Sequence, residues 1–154
     1  QPYIFFTMQV STDAQVILNY AKGSVIEGLK EAIAIASSRN RHLVVKPHPA
    51  ELNQTILLEL ERLKGQHDFS VVDENTFRLL EKADGVVTIN STVAVEAMFF
   101  GKEVTFLGDS LYSRFNHKRL AAYIMCYLLN ENYFAKTPIA TGNARKLLSM
   151  ASQP

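Results

Sequence analysis

The run Asn90-Ser91-Thr92-Val93-Ala94-Val95-Glu96-Ala97 follows directly on the apolar stretch Gly85-Val86-Val87-Thr88-Ile89. That order describes a buried strand that ends in a polar turn and restarts as a helix. Such a turn aims backbone N–H groups and hydroxyls into one space, which suits a phosphate. Upstream, Leu43-Val44-Val45 runs into Lys46-Pro47-His48-Pro49. The two prolines hold the His48 backbone stiffly. A rigidly placed imidazole can bind phosphate or move a proton, and Lys46 can neutralise phosphate charge. Two strand ends with phosphate-type chemistry point to a nucleotide-using site.

Each of these residues also has a plainer use. His48 can be a turn residue that begins a helix, and Lys46 a solvated lysine. Ser91 or Thr92 can simply cap the following helix; a cap and an anion site share one geometry, so both readings stand. Glu96 interrupts Val93-Ala94-Val95 and Ala97-Met98-Phe99-Phe100, so its helix reads as largely buried. A carboxylate there needs a partner: a ribose hydroxyl pair, a lysine or a structural salt bridge. Asp13, after Ser11-Thr12, has the local pattern of a cap or turn. Gln9 and Gln15 flank it and can bond a sugar or be ordinary surface residues.

The elements that must position these groups are legible as short apolar runs at residues 3–8, 42–46, 69–72, 85–89 and 103–107. They are rich in Val, Ile and Phe, as strands buried on both faces are. Helical patterns separate them. Ser24 opens one over 24–38, which ends near Asn40. A second covers 51–64, with Leu52, Ile56, Leu57, Leu60 and Leu63 on one face and Gly65 as its stop. Shorter ones cover 75–82 and 91–100, the last closed by Gly101. This alternation predicts an α/β fold, a Rossmann-like doubly wound parallel sheet of about five strands in the order 3-2-1-4-5. Residues 109–116 read as a loop, 9–23 resist assignment, and 116–130 and 141–152 are helical. The chain thus reads as one domain, residues 1–154, with a core over 3–112 and a helical C-terminal tail over 113–154.

Open α/β sheets bind ligands beyond the carboxyl ends of their strands. There this sequence places Gln9, Ser11, Thr12, Asp13 and Gln15, then Lys46 and His48, then Asp73 and Glu74, then Asn90, Ser91 and Thr92, then Gly108, Asp109 and Tyr112. The bulk composition adds limits. A formal charge of +1, from 16 basic and 15 acidic residues, provides no global field to draw the chain to nucleic acid. No apolar run approaches the roughly 18 residues that span a bilayer. The single cysteine, Cys126, sits among apolar residues and reads as packing. Metal-ligand spacings, the dinucleotide glycine fingerprint and the P-loop signature are all missing. The opening Gln1-Pro2-Tyr3-Ile4-Phe5-Phe6 lies already inside a strand-like run without an initiator methionine, so the chain reads as a piece of a longer protein.

Taken together, Lys46-Pro47-His48-Pro49, the run from Thr88 to Ala97, Gly101-Lys102 and Gly108-Asp109-Ser110-Leu111-Tyr112 resemble the capsular polysaccharide biosynthesis family. The opening Phe5-Phe6-Thr7-Met8-Gln9-Val10-Ser11-Thr12-Asp13-Ala14-Gln15 resembles its strand and loop before the His-Pro motif. The likeness covers roughly residues 3–112. One departure is Ala94, where related sequences often carry glycine. Bacterial β-Kdo glycosyltransferases of capsule and lipopolysaccharide assembly are among the members. The resemblance implies one Rossmann-like, nucleotide-sugar-binding half of a GT-B-like enzyme that uses CMP-Kdo without a metal cofactor. It also implies a second Rossmann-like domain in the parent protein and a glycan acceptor. The place of work it implies is the bacterial cytoplasm, with peripheral association to the inner membrane face, through other parts of the protein, left open. His48 and Ser91 would contact the donor's phosphate or carboxylate, with Asn90 and Thr92 lining the same turn, and Glu96 would hold the ribose. Asp13 falls where the retaining Kdo enzymes carry a catalytic carboxylate.

Two other readings remain open on the sequence. A CDP-glycerol glycerophosphotransferase or a UDP-sugar 2-epimerase also uses a His-Pro-type turn and a strand-end hydroxyl loop. A non-catalytic nucleotide-sugar-binding module would share the fold without turnover.

Overall fold

The computed structural model describes residues 2–128 and 141–151. The chain divides into two compact units, residues 1–115 and 116–154. The first contains β1 (Tyr3–Thr7), α1 (Ala14–Asn19), α2 (Val25–Ser38), β2 (His42–Lys46), α3 (Gln54–Lys64), β3 (Phe69–Val71), α4 (Thr76–Lys82), β4 (Gly85–Thr88), α5 (Val93–Phe99), β5 (Glu103–Phe106) and a 3-10 turn at Leu111–Arg114. All five strands are parallel and lie in the order β3-β2-β1-β4-β5, the order the alternation predicts.

Alternate residues of each strand face opposite ways, and both faces are covered. Ile4 and Phe6 of β1, with Leu43, Val45 and Val87, pack against Val16, Val25, Leu29, Ala32, Leu60 and Leu63. Phe5, Val44 and Val86 pack on the other side against Leu79, Leu80 and Ala97. Helices α1–α3 therefore cover one face and α4–α5 the other. The Ser24 side chain accepts from the Ile26 N–H and starts α2. Gly101, at φ +68°, ends α5 in the left-handed region that glycine adopts without steric cost.

Three local expectations need correction. The helix after β2 begins at Gln54, not residue 51, because Asn53 takes the cap position and accepts from the Thr55 N–H. Leu52 therefore precedes the helix and is 83% exposed instead of lying on its buried face. The stretch 9–23, unassigned from sequence, holds the short helix α1, capped by Asp13. Helix α5 is not largely buried: only Ala94 and Ala97 are. Its small alanines sit against the sheet, while Phe99, 73% exposed, turns outward and packs edge-on to Phe100, whose ring also meets Phe77.

The second unit contains α6 (His117–Ala122), a π-helical turn at Tyr123–Tyr127 and α7 (Thr141–Ala151). Of the two helices expected there, residues 129, 130 and 152 lie outside the described residues. Cys126, expected to pack, is exposed, since the π-helical turn carries no buried residue. Among the described residues no helix is long and apolar enough to cross a membrane.

Candidate functional site

In the order β3-β2-β1-β4-β5 the chain reverses direction of growth between β1 and β4, which makes their carboxyl ends the topological switch point. Gln9 leaves β1 there and Asn90 leaves β4. Two-fold pairing of their amides ties the two ends together. Gln9 Nε2 donates to Asn90 Oδ1 at 2.8 Å, and the Asn90 N–H donates to Gln9 Oε1 at 3.1 Å. Gln9 is 7% exposed and Asn90 9%, so in this buried setting each amide needs partners. The second Gln9 proton goes to Asp13 Oδ2 at 3.2 Å. Asn90 Nδ2 donates to the Gln15 carbonyl at 2.9 Å and to the Asp109 carbonyl at 3.5 Å. One hub thus joins the loops after β1, β4 and β5. The side-chain polar atoms of Gln9 and Asn90 are committed to it.

Asp13 hangs from that hub. Its Oδ1 accepts from the Gln15 N–H at 2.9 Å, which caps α1, and its Oδ2 accepts from Gln9. The cap use foreseen for Asp13 is therefore real, and the same two donors fix where its carboxylate sits. Beside the hub lies a cleft of about 650 Å³, lined by Gln15, Asn19, Asn90, Thr92, Asp109 and Tyr112 among others. Gly108 directly precedes the lining residue Asp109. A Cβ at Gly108 would lie 2.7 Å from the Asn19 carbonyl oxygen and 3.1 Å from Ile89, and backbone cannot yield as a side chain can. Gly108→Ala is expected to cost about 1–3 kcal/mol of stability through this overpacking, read as a lower urea midpoint. An unchanged midpoint would show that the loop after β5 does not rest on α1.

The turn after β4 differs from the open cradle its sequence describes. The Asn90 N–H is taken by Gln9, and the Ser91 N–H bonds Thr88 Oγ1 at 3.2 Å. The Val93 N–H bonds Ser91 Oγ, Ala94 bonds the Ser91 carbonyl and Val95 the Thr92 carbonyl. What the turn presents is hydroxyl chemistry: Ser91 Oγ accepts from backbone and keeps its own proton to donate, and the exposed Thr92 makes no cap bond.

On the β2 side, His48 is exposed, and the Ala50 N–H donates to its Nδ1 at 3.1 Å. With Nδ1 engaged as acceptor, the neutral ring carries its proton on Nε2, which points the imidazole outward as a donor. Lys46 is not loose: Nζ donates to the Glu74 carbonyl at 2.7 Å and to Thr76 Oγ1 at 3.1 Å. Glu96 is half-buried and its carboxylate has no hydrogen bond or ion pair among the described residues, so the salt bridge weighed for it is not formed. Burial raises its carboxyl pKa, against the opposing pull of the Lys46 charge.

That raised pKa has a stability consequence. Well below the ordinary glutamate value of about 4.3, Glu96 is protonated in both folded and unfolded chains and costs nothing. Between that value and the raised folded value the unfolded chain ionises while the folded chain keeps its proton, so stability falls across this window and the full cost persists above it. Glu96→Gln is therefore expected to raise Tm at neutral pH and leave it unchanged in acid; equal Tm values at both would mean the carboxylate is adequately solvated.

Sequence reasoning missed Glu51. It is 7% exposed and accepts from the Ser11 N–H at 2.6 Å, from Ser11 Oγ at 3.2 Å and from the Asn53 N–H at 2.9 Å. The only signal was its place three residues after His48. Among the described residues no group of His, Cys, Asp and Glu side chains gathers as a metal site.

A family model described as "Capsule polysaccharide biosynthesis protein" matches residues 1–115, the span of the first unit. Protein FixF of Sinorhizobium fredii is 31% identical over 113 residues, which cover 72% of this chain and 27% of FixF. Capsule polysaccharide export protein KpsS of Escherichia coli is 29% identical over 121 residues, 73% of this chain and 31% of KpsS. The chain thus spans less than a third of the length of these relatives. Two solved structures share the fold: KpsC of Thermosulfurimonas dismutans as the beta Kdo 2,7 transferase, at TM-score 0.58 and 24% identity over 73% of this chain and 35% of that one, and as the beta Kdo 2,4 transferase, at TM-score 0.55 and 23% identity over 73% and 36%.

Proposed function

The chain belongs to the capsule polysaccharide biosynthesis family, and from that premise we propose that it is one Rossmann-like half of a glycosyltransferase that moves Kdo from CMP-Kdo to a growing bacterial surface polysaccharide or lipid-linked acceptor with retention. The observation that carries this reading is the Asp13 carboxylate, held by Gln9 and the Gln15 N–H at the β1/β4 switch point. A nucleophile must be fixed within reach of the reacting carbon, and this one is anchored to the sheet itself.

In the proposed reaction, an Asp13 oxygen forms a bond to the anomeric carbon of Kdo as the bond from that carbon to the CMP phosphate oxygen breaks. CMP leaves with the electron pair, and a glycosyl ester on Asp13 remains. An acceptor hydroxyl then attacks the same carbon from the face opposite Asp13 and gives its proton to solvent water, while the bond from that carbon to the Asp13 oxygen breaks and its electron pair returns Asp13 as a carboxylate. His48 Nε2–H and the Ser91 hydroxyl donate to the departing phosphate, where charge builds. Glu96, an unpaired half-buried carboxylate, accepts from the two ribose hydroxyls. The acceptor glycan is held by a second Rossmann-like domain of the parent protein, on the cytoplasmic side of the membrane.

Incubating the parent protein with CMP-Kdo and its acceptor and weighing the product by mass spectrometry tests this. An increment of one Kdo residue is expected. An increment of glycerol phosphate from CDP-glycerol, or epimerisation of a UDP-sugar, would replace the reading with one of its rivals.

A further inference from the structure

We infer that Glu51 is a positioning residue, whose buried side chain ties the loop carrying Asp13 to the loop carrying His48 and so sets the nucleophile against the phosphate-binding imidazole. The inference rests on the function proposed above for Asp13 and His48. Its geometry does not. The Glu51 carboxylate takes the Ser11 N–H and hydroxyl, two residues before Asp13, whose own N–H bonds the Val10 carbonyl at 3.0 Å. On its other side the Glu51 N–H bonds the His48 carbonyl at 2.9 Å, and the intervening Ala50 N–H bonds His48 Nδ1. One residue therefore grips both loops, by side chain in one direction and by backbone in the other.

The chemistry explains why a carboxylate stands there. The donors that converge on it are the Ser11 N–H, the Ser11 hydroxyl and the Asn53 N–H. Only an acceptor-only group with lone pairs on two oxygens can satisfy them together; an amide would turn its NH2 against an N–H. Burying a charge is expensive unless it is fully bonded, and among the described residues no cation pairs with it. Burial pulls the Glu51 pKa upward, but the Asn53, Ser11 and Leu52 N–H groups and the Ser11 hydroxyl outweigh it and hold it below the ordinary range. The tie is thus in place above the ordinary carboxylate pKa and is lost only as pH falls through a still lower value.

Glu51→Gln tests the tie on this chain and on the parent protein. Amide hydrogen exchange at Ser11 and Asn53 is expected to quicken at least about tenfold, with Phe5 and Val45 in the central strands unchanged. In the parent protein, kcat is expected to fall about 10–100-fold with the donor KM within about threefold, as misplacement of a reacting group does. A purely structural residue would lower Tm and leave kcat per folded molecule alone. Should Glu51→Gln fail to fold, Ser11→Ala removes one bond and is expected to shift exchange at Asn53 and kcat in the same direction, by about threefold. Unchanged Ser11 protection in Glu51→Gln, or unchanged kcat, would overturn the inference. A parent protein that transfers no Kdo at all would sink the functional reading instead, and the exchange data would still decide whether Glu51 joins the loops.

Discussion

Asp13→Ala in the parent protein is expected to slow Kdo transfer by about 10³-fold or more while CMP affinity stays within about threefold of wild type. The asymmetry follows from the proposed division of labour. Among the described residues the Asp13 carboxylate bonds only the Gln15 N–H and Gln9 Nε2, so removing it is expected to take nothing from the nucleotide. It takes the group that would form the covalent bond. The substitution also removes a helix cap, worth about 0.5–2 kcal/mol, so turnover must be expressed per folded molecule. A glycosyl adduct on Asp13 in the wild type, found by mass spectrometry after a donor-only incubation, is the companion result. Transfer at near-wild-type rate in Asp13→Ala would leave Asp13 as a cap and nothing more.

The second large effect is on stability. Asn90→Ala leaves the Gln9 Nε2 proton without Asn90 Oδ1 and strips the donor from the Gln15 and Asp109 carbonyls. Each buried polar group left unsatisfied costs about 1–3 kcal/mol. Water can reach the part-buried carbonyls, so a total of about 2–4 kcal/mol is expected, a large part of the 5–15 kcal/mol that holds a typical domain together. Asn90→Asp should be at least as harmful, because it aims an oxygen, not a donor, at those two carbonyls. Urea unfolding reads both variants. A loss under about 1 kcal/mol in each would mean that the three loops do not depend on the hub.

The sheet was legible because its three central strands are short apolar runs buried on both faces, the less buried edge strands β3 and β5 continue the same alternation with helices, and their order follows from right-handed crossovers. The site residues were legible only by type. Gln9 and Asn90 were singled out as polar groups at strand ends, but they lie 81 positions apart, and nothing local says that they bond each other before any ligand. Helix α1 has a single buried residue, Val16, with Ile17 and Leu18 exposed, so it offered no apolar face to detect. Helix α5 misled in the opposite sense: its run of apolar residues reads as buried, yet the Phe99 and Phe100 rings find each other outside the core. Glu51 was hidden by its neighbours, since a glutamate just before Leu52-Asn53-Gln54 looks like a first-turn residue. Only the Asn53 cap, which delays the helix, turns its carboxylate inward.

The placement of the donor in this half is tested most directly by calorimetric titration of the chain with CMP, CDP and UMP. The account predicts selective binding of CMP, lost in His48→Ala and in Ser91→Ala. Equal affinity for all three nucleotides, or CMP binding unchanged in both variants, would contradict it.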